Sequence, residues 1–600
     1  MTFDLFVLPF FLGLIFLLVV LFIKYSRWIA LIDRSGRRKI GYGLISLQLF
    51  PATWEVISEG LFHRRMFKQD KLLGYMHMSF ALGWFLLILM GNFESRIYSR
   101  AHINPPYYPI FLKFFVHDTR VLPFELNTIP GFFRFIMDFL LLYILSGLAL
   151  AFFKRARSKW FGMKHTTKHT LLDRFALTSL WFIFPLRLLA ESFTAAIYGG
   201  GGFLTNSLGD TIAGIVPAQS LYPVSYAFWW AYSTALGTFF VTLPWSRYMH
   251  IPTEIVLIYL RHFGVKTGKK LDSFSELEMR ACSRCGVCID VCQMNAAGCT
   301  PSTSVYFLRN LRSDQSDAQV NANCMLCGRC AEACPVNINL LSLRSASRYP
   351  DNILIDKALD YLPVQKKEHK HINVLYFAGC MGHLTPAVKK AMLRLMDEAN
   401  VKYSFMDRDG SICCGRPLMM AGMYEAARSV IENNRQLIMK SGARILVTSC
   451  PICYKVFNEE YRLPGIEILH HTQYLLRLAQ AGSLWLNKSE LNVVYHDPCE
   501  LGRGSGIYKE PRKLLNRFVK VTDIEDEREH SLCCGGSIGD TVLDRAQRKT
   551  ITDEALKILT APKPDVLVTA CPLCKKTFDA GNDLKVMDIA ELVEAHLDAD

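Results

Sequence analysis

Five long apolar runs dominate the first half of the chain, and polar connectors separate them. Each run approaches the roughly 20 mostly apolar residues that a helix needs to cross the hydrocarbon core of a membrane. The first has no basic segment before it and no small-residue cleavage site after it, which favours an anchor helix over a cleaved signal peptide. The pattern predicts membrane spans at residues 5–23, 72–90, 132–153, 175–198 and 222–243.

Two of these runs contain charged pairs, Arg134 with Asp138 and Arg187 with Glu191. Helices buried in a large soluble core are therefore the alternative interpretation, but the recurrence of the runs between basic connectors favours a membrane domain. Arg187 and Glu191 are spaced i to i+4, so they could form an ion pair or bind a haem propionate or a quinone.

The connectors predict the orientation of the membrane domain. Basic connectors tend to face the cytoplasm, so the strongly basic first and third connectors should lie there. The second has four Lys/Arg over some forty residues and the fourth carries only Asp210, which suits the outer side. The N-terminus should then lie outside and the C-terminus inside. The basic residues are Lys24, Arg27, Arg34, Arg37, Arg38, Lys39, Arg64, Arg65, Lys68 and Lys71 in the first connector, and Lys154, Arg155, Arg157, Lys159, Lys164 and Lys168 in the third.

The last third of the chain repeats itself, which must be recognised before single residues are interpreted. Segment 372–380 matches 491–499, the Cys-Cys-Gly triplet at 413–415 matches 533–535, and 445–453 matches 566–574, with offsets of 119, 120 and 121 residues between the cysteines. Short β-rich runs alternate with helical stretches, which predicts two α/β domains. Cys450 and Cys571 follow such runs at predicted helix starts, where the helix dipole lowers a thiol pKa and suits a metal ligand.

Composition and charge exclude two simple interpretations. A chain of 600 residues is longer than one soluble core usually organises. Its residues are 51% hydrophobic and only 20% charged. The net charge of +14 is concentrated in residues 1–270, which hold 28 Lys/Arg and 13 Asp/Glu, whereas residues 271–600 hold 40 and 41. A basic surplus beside apolar runs fits membrane connectors and gives no support to a nucleic-acid-binding face.

All 19 cysteines lie at or beyond Cys282. Disulfides in a secreted domain are one explanation, but an odd number arranged in C-x-x-C clusters favours metal ligation by thiolates in a reducing compartment. The C-terminal part is therefore expected in the cytoplasm, which agrees with the orientation predicted from the connectors.

Two compact motifs of the form C-x-x-C-x-x-C-x-x-x-C begin at Cys282 and Cys324. Three closely spaced thiolates wrap one corner of an iron–sulfur cube while the fourth reaches the neighbouring cluster, whereas zinc sites use two separated pairs. The pattern assigns one [4Fe-4S] cubane cluster to Cys282, Cys285, Cys288 and Cys334, and another to Cys324, Cys327, Cys330 and Cys292.

These motifs resemble bacterial-type ferredoxins and the C subunit of heterodisulfide reductase. Gln293 departs from that family, which usually has proline there, and the departure affects only the expected local turn. Cys299 is left over and is interpreted as a small buried apolar side chain.

Each copy of the repeat supplies five cysteines in a pattern that resembles the paired cysteine-rich, or CCG, domains of the heterodisulfide reductase B and D proteins and of quinone-linked iron–sulfur oxidoreductases. The resemblance implies noncubane [4Fe-4S] clusters that split a disulfide; a structural metal such as zinc in one copy is the alternative. His383, His496 and Asp497 lie beside the leading cysteines and could move protons or only form surface hydrogen bonds. The implied catalytic ligands are Cys380, Cys413, Cys414, Cys450 and Cys453 in the first copy, and Cys499, Cys533, Cys534, Cys571 and Cys574 in the second.

Two histidines stand at the predicted inner end of the membrane domain, His77 in the second span and His250 just past the fifth. An intramembrane imidazole is costly unless it is paired or ligating, so these residues suit a b-type haem, and helix packing is the alternative. The domain resembles the gamma subunit of respiratory nitrate reductase and related cytochrome b domains. That family has two haem histidines on its last helix, here at Tyr232 and His250, and a continuous helix would place both on one face. Because Tyr232 is not histidine, the resemblance implies one haem b, bound by His77 and His250.

The expected fold is an all-α domain of five membrane helices (1–265), a small α-helical, ferredoxin-like dicluster domain (266–345) and two repeated α/β CCG domains (372–485 and 490–600). The expected protein is a multi-pass protein of the cytoplasmic membrane. Its cofactors would be two cubane clusters, one haem b and one or two further [4Fe-4S] clusters.

Three functions are compatible with this architecture. The first is an oxidoreductase between membrane quinone, as substrate, and a soluble redox protein such as electron-transfer flavoprotein. The second is a thiol-disulfide oxidoreductase like heterodisulfide reductase, and the third is an electron-relay subunit without its own substrate site. No nucleic acid is expected as a partner.

Overall fold

The computed structural model describes residues 4–98, 109–111, 129–157, 165, 167–268, 270–313, 317–348, 373–538, 542–580 and 584–598. The chain forms two compact units. The first comprises residues 1–266 and 272–286, and the second comprises 267–271 and 287–600. Lys159, Lys164, most of the second connector and residue 372 of the repeat lie outside the described residues.

The described residues of the first unit form helices and their connections, without strands. Apolar side chains such as Phe10, Phe184 and Trp229 form its core, and each is almost fully buried. Its helices are Leu8–Ala30, Arg34–Leu44, Leu49–Glu55, Arg64–Gln69, Lys71–Tyr98, Ile129–Ala156, Leu171–Tyr198, Phe203–Ile215, Ala218–Thr242, His250–His262 and Ser273–Arg280.

Four helical segments are long and apolar enough to cross a membrane, and they contain the first four predicted spans: Leu5–Ala30, Lys71–Arg96, Gly131–Ala156 and Leu171–Tyr198. These segments suggest that the protein associates with a membrane. The fifth predicted span lies in helix Ala218–Thr242, which is long enough but is not one of the four. Its Trp and Tyr side chains carry polar groups, although their large apolar bodies pack into the core. The number of five spans stays a prediction.

The chain does not continue as one helix from Tyr232 to His250. Helix Ala218–Thr242 ends first, and two 3₁₀ turns, Leu243–Trp245 and Arg247–Met249, precede the next helix. Pro244 lies in the first turn and has no N–H to donate to a continuing helix. The expectation that Tyr232 and His250 share one helix face is therefore wrong.

The first basic connector is folded into helices rather than forming an extended loop. It includes a π-helical turn, Val56–Leu61, a form that is frequent at functional sites. His63 follows with a left-handed φ of 49° and begins the next short helix. Helix His250–His262 packs against this connector, and His262 forms a 2.7 Å hydrogen bond with Glu55.

The second unit begins with the cysteine-bearing loops of the ferredoxin-like segment, which short helices connect. These helices are Val287–Asp290, Gln293–Ala296, Ser304–Arg312, Ala318–Ala322, Arg329–Glu332 and Leu340–Arg348.

Two four-stranded parallel sheets follow, and both have the same strand order. The first sheet, in the order β2-β1-β3-β4, contains β1 (Val374–Phe377), β2 (Tyr403–Phe405), β3 (Ile445–Thr448) and β4 (Glu467–His470). The second, in the order β6-β5-β7-β8, contains β5 (Asn492–His496), β6 (Lys520–Thr522), β7 (Val566–Thr569) and β8 (Val586–Asp588). The equal order confirms the repeat as two α/β domains. The accompanying helices are Gly379–His383, Pro386–Glu398, Arg416–Met420, Tyr424–Lys440, Pro451–Glu459, His471–Gln480, Lys509–Leu515, Arg545–Leu559, Pro572–Asp579 and Ile589–Glu594.

One apolar core joins the two sheets. Tyr376 and Val447 of the first sheet and Tyr495 and Val568 of the second belong to the same cluster of buried side chains. The strands are mostly apolar along their whole length, as expected for parallel strands that are covered on both faces.

Candidate functional site

In each CCG domain the first cysteine and the last two follow the carboxyl ends of the two central strands, where parallel α/β sheets commonly bind ligands. The adjacent Cys-Cys pair follows an edge strand. Cys380 follows β1 and Cys450 follows β3 in the first copy. Cys450 is also the residue that precedes helix Pro451–Glu459, and Cys571 holds the same position before helix Pro572–Asp579. The predicted helix starts at these cysteines are therefore confirmed.

The five thiols of the first copy converge. Cys413 is hydrogen-bonded to Cys414, Cys414 to Cys453, and Cys453 to Cys450. Cys380 lies within electrostatic range of both Cys450 and Cys414. The structure thus brings together all five cysteines that the sequence predicts for this site.

The second copy reproduces this chain of contacts. Cys533 is hydrogen-bonded to Cys534 and to Cys499, and Cys574 contacts both Cys534 and Cys571. In addition, Cys533 is hydrogen-bonded to Cys327, a cysteine of the second ferredoxin-like motif. The two thiol sets are therefore alike internally but differ in their neighbours.

The second cysteine of each Cys-Cys-Gly triplet has a lowered pKa. Hydrogen bonds from Cys413 and Cys453 lower the pKa of Cys414, and hydrogen bonds from Cys533 and Cys574 lower the pKa of Cys534. Burial, together with neighbouring thiols, raises the pKa of Cys380 to about 12. Thiolates crowded in this way repel one another, and a shared cation would stabilise them.

The glycine of each triplet is required by the backbone. Gly415 and Gly535 have φ values of 90° and 88°, a conformation that residues with a Cβ atom rarely adopt. The backbone is then held from the helix packed against it: Asn434 donates to the carbonyl of Cys413 at 2.7 Å, and Thr552 donates to the carbonyl of Cys534 at 2.9 Å.

The polar residues beside the leading cysteines have structural partners. Asp407, which the sequence did not single out, accepts hydrogen bonds from the N–H groups of Ala378 and Gly379 at 2.9 and 2.7 Å and from His383 at 3.3 Å. It therefore shapes the turn that leads to Cys380.

His496 and Asp497 are buried rather than exposed, so hydrogen bonding at the surface was the wrong alternative. His496 donates to the carbonyl of Leu532 at 3.0 Å. Asp497 forms a bidentate ion pair with Arg512, with distances of 2.7 and 2.8 Å. His496 thus supports the loop that carries Cys533 and Cys534, and Asp497 is fixed by helix Lys509–Leu515.

The eight ferredoxin-like cysteines are all partly exposed. Cys282 and Cys285 belong to the first compact unit and the other six to the second. In the second motif, Ser304 donates to the sulfur of Cys330 at 3.2 Å and the N–H of Leu326 donates to that of Cys324 at 3.4 Å. The assignment of these eight cysteines to two clusters stays a prediction.

Three imidazoles meet at the predicted haem site, although the sequence singled out only two. The ring of His63 lies 5.4 Å from that of His77, centroid to centroid, and His250 is within electrostatic range of both. The Nδ1–H group of His250 donates to the carbonyl of Arg247 at 2.6 Å, which leaves its Nε2 atom for a ligand. His63 was missed because it lies in a connector, outside the predicted spans.

A cluster of charged side chains lies beside these histidines, on the folded first connector and helix His250–His262. Glu55 accepts hydrogen bonds from Arg65 at 3.0 Å and from His262 at 2.7 Å. Burial raises the pKa of Glu254 to about 7, against the opposing effect of Arg261. Glu254 therefore titrates near neutral pH.

The predicted pairing of Arg187 with Glu191 is observed as a buried ion pair at 2.9 Å. Arg187 also hydrogen-bonds Tyr232, whose ring packs on Trp229 and Phe111 with centroids 5.9 and 5.4 Å away. Tyr232 thus belongs to a buried polar network within an aromatic core.

Among the residues that the structure describes, no group of three or more His, Cys, Asp or Glu side chains has an arrangement that could hold a single metal ion. The CCG thiols instead form extended chains of pairwise contacts.

Known protein families match the C-terminal part of the chain. The "Cysteine-rich domain" family matches residues 374–458 and 493–579, and the "4Fe-4S dicluster domain" family matches residues 281–339. The cysteine patterns of both regions are therefore those of known iron–sulfur domains.

Three curated proteins illustrate the range of relatives. The D protein of dihydromethanophenazine:CoB–CoM heterodisulfide reductase from Methanosarcina barkeri is 26% identical over 54% of this chain and 95% of its own length. EtfAB:quinone oxidoreductase from Syntrophomonas wolfei is 29% identical over 40% of this chain and 36% of its own. The probable iron–sulfur-binding oxidoreductase FadF from Bacillus subtilis is 22% identical over 97% of both chains.

The chain is thus a homologue of iron–sulfur oxidoreductases and carries their 4Fe-4S and cysteine-rich domains. The resemblance of its helical part to cytochrome b subunits gains no support from these matches and stays a prediction.

Proposed function

We propose that this protein is a membrane-anchored oxidoreductase that passes electrons between the quinone pool and a soluble redox protein in the cytoplasm. The observation that carries this proposal is the hydrogen bond between Cys327 of the ferredoxin-like motif and Cys533 of the second CCG domain. It places two predicted ligand sets side by side, as a path for electrons requires.

The donor sets fit iron–sulfur clusters. In the first copy, four thiols in a chain of contacts with Cys380 nearby match a polynuclear centre better than one zinc ion, which takes four ligands around a point. The first copy would hold its cluster with Cys380, Cys413, Cys414, Cys450 and Cys453, and the second with Cys499, Cys533, Cys534, Cys571 and Cys574. When bound, such clusters supply one-electron oxidation and reduction.

The histidines also fit one haem b. A metal-binding imidazole usually donates its other N–H to a carbonyl or carboxylate, as the Nδ1–H group of His250 does to Arg247. His77 would supply the other ligand. The network of Tyr232, Arg187 and Glu191 fills the place of a second haem and supports a single haem at the inner side.

The proposed cytoplasmic location of both CCG domains is supported by the basic connectors and by cysteine clusters that favour a reducing compartment. With one haem at the inner side, quinone would react near the cytoplasmic face. The relative named EtfAB:quinone oxidoreductase favours electron-transfer flavoprotein as the soluble partner.

A disulfide substrate is the second candidate. It is favoured by the completeness of both five-cysteine sets and by the similarity to the heterodisulfide reductase D protein over 95% of that protein's length. The thiol sets would then bind the substrate sulfurs directly.

The test uses the full-length protein in detergent under anaerobic conditions. Duroquinol should reduce the haem, and oxidised electron-transfer flavoprotein should reoxidise it; the His250→Ala variant is the control that lacks a haem ligand. Reoxidation by CoB–CoM heterodisulfide instead would establish the second candidate, and reoxidation by neither would indicate a relay subunit. Failure of duroquinol to reduce the wild-type haem would refute the quinone link.

A further inference from the structure

Gln293 connects the ferredoxin-like segment to the second CCG domain. It directly follows the predicted ligand Cys292 and is almost completely buried. Its Oε1 atom accepts a hydrogen bond from the N–H of Cys533 at 2.7 Å, and its Nε2 atom donates to the carbonyls of Cys533 and Ile551 at 3.2 and 3.1 Å. The amide thus clamps the backbone of a CCG cysteine from both sides.

The first copy achieves the same support from within its own domain, where Asn434 donates to the carbonyl of Cys413. The two copies can be aligned here through their glycines. A Cβ atom on Gly415 would approach Ala427 and Ile431, and one on Gly535 would approach Arg548 and Thr552. Arg548 and Thr552 therefore occupy the places of Ala427 and Ile431, each 121 residues further along the chain.

That offset places Ala555 where the first copy has Asn434. Ala555 is fully buried and cannot donate a hydrogen bond from its side chain. Gln293 therefore supplies, from another domain, the amide that the second copy lacks.

Gln293 lies at an interface between the ferredoxin-like segment and the second CCG domain, which an apolar cluster also joins. Met294, Cys299 and Met325 of the ferredoxin-like segment pack with Leu543 and Ile551 of the second copy in one buried apolar cluster. This burial is consistent with the interpretation of Cys299 as a small apolar side chain.

Arg503 of the second copy adds a polar contact beside this cluster. It donates to the carbonyl of Cys327 at 2.8 Å and to that of Ser531 at 2.7 Å. The contact between Cys327 and Cys533 is thus held by an apolar core, an amide clamp and a guanidinium.

We propose that Gln293 is a positioning residue that completes the second CCG site from the ferredoxin-like domain, so that electrons enter the CCG pair through the second copy rather than the first. The proposal rests on the proposed function in one respect, that both sets hold iron–sulfur clusters. Each transfer moves one electron from the cluster bound by Cys327 to the cluster bound by Cys533 and breaks no covalent bond.

The first test measures proximity magnetically. In the fully reduced, full-length protein, two neighbouring paramagnetic clusters broaden each other's EPR signals. Gln293→Leu removes all three side-chain hydrogen bonds at similar volume, and we expect about tenfold fewer molecules to keep the contact. Gln319→Leu, at an exposed glutamine of the same segment, should leave the broadening unchanged. Unchanged broadening in Gln293→Leu would overturn the proposal.

Two further variants separate positioning from local folding. Gln293→Pro places proline at the first position of helix Gln293–Ala296, after an extended Cys292 with φ −91° and ψ 114°, where proline is tolerated. It should lose the broadening as Gln293→Leu does. Ala555→Asn in the Gln293→Leu background returns an amide from within the second copy. It should restore the iron content of that site but not the broadening, and restoration of both would show that Gln293 acts only locally.

The order of reduction is tested with Cys414→Ser and Cys534→Ser, each checked for intact cubane signals. After a pulse of duroquinol, the second site should be reduced at the wild-type rate in Cys414→Ser, whereas the first site should be reduced at least several-fold more slowly in Cys534→Ser. Equal rates at the first site in Cys534→Ser and wild type would refute entry through the second copy. If duroquinol fails with the wild type, the proposed function fails, while the magnetic test of Gln293 still stands.

Discussion

Replacing Gly535 with alanine should damage the second CCG site far more than a comparable change elsewhere. Gly535 has a φ of 88°, and an added Cβ atom would lie 2.5 Å from the hydroxyl oxygen of Thr552 and 3.1 Å from the carbonyl oxygen of Arg548. The hydroxyl must move, although it donates the hydrogen bond to the carbonyl of Cys534. The substitution therefore combines backbone strain with the loss of a buried hydrogen bond.

The magnitude follows from these two contributions. A left-handed backbone costs about 1–2 kcal/mol for a residue with a Cβ atom. A buried carbonyl that loses its donor costs about 1–3 kcal/mol more. Gly506→Ala is the matched control, because Gly506 has a φ of 73° with open space around it and should show only the strain. Gly535→Ala should thus be destabilised by about 2–5 kcal/mol and Gly506→Ala by about 1–2 kcal/mol.

The assay is urea denaturation of the full-length protein, followed by the visible absorbance of its iron–sulfur clusters. The urea midpoint should fall in the order wild type, Gly506→Ala, Gly535→Ala, and the iron content should fall mainly in the last. Thr552→Ala in the Gly535→Ala background removes the closest clash and should recover part of the loss. Equal midpoints for the two glycine variants would refute the argument from the Cβ contacts.

Four other substitutions test the first unit. His77→Ala and His250→Ala should each abolish the haem absorbance while iron–sulfur content is retained; a normal haem spectrum in either would exclude that residue as a ligand. Because burial raises the pKa of Glu254 to about 7, its protonated form is favoured in the folded state, so its contribution to stability should be present below about pH 4.5 and be lost as pH rises through 7. Thermal melting should show this loss in the wild type and not in Glu254→Gln. Arg187→Ala should destabilise the protein by about 3–5 kcal/mol, since it removes the guanidinium that lies 2.9 Å from the buried carboxylate of Glu191, and thermal melting that matches the wild type would contradict this.

Much of the C-terminal fold could be predicted because it depends on local pattern and on duplication. The runs at 445–448 and 566–569 are strands with those same bounds, and the cysteines that follow them begin helices. A duplicated cysteine pattern also implies that each set converges, since both copies must satisfy the same fold. The ten CCG cysteines therefore needed no structural information to be grouped correctly.

The remaining features depend on long-range contacts or on chemistry that hydropathy does not measure. Gln293 looked like a departure that affected only a turn, because nothing local connects it to Cys533, 240 residues away. Helix Ala218–Thr242 ends just before Pro244, and the turns there interrupt the backbone hydrogen bonds of the helix. The apolar pattern continues nearly to that point and does not itself mark the helix end. His63 becomes notable only when the folded connector brings it to His77.

The apolar core shared by the two sheets has a consequence for how such a duplication can be inherited. Half of the tandem, made alone, would expose to water the face that carries Tyr376 and Val447, and it would leave Asp588 or its 3.0 Å partner His471 without a counterpart. A single-copy chain of this kind would need to dimerise to stay soluble. Fusion of the two halves removes that dependence on concentration, and it frees each half to diverge, as the difference between Asn434 and Ala555 illustrates.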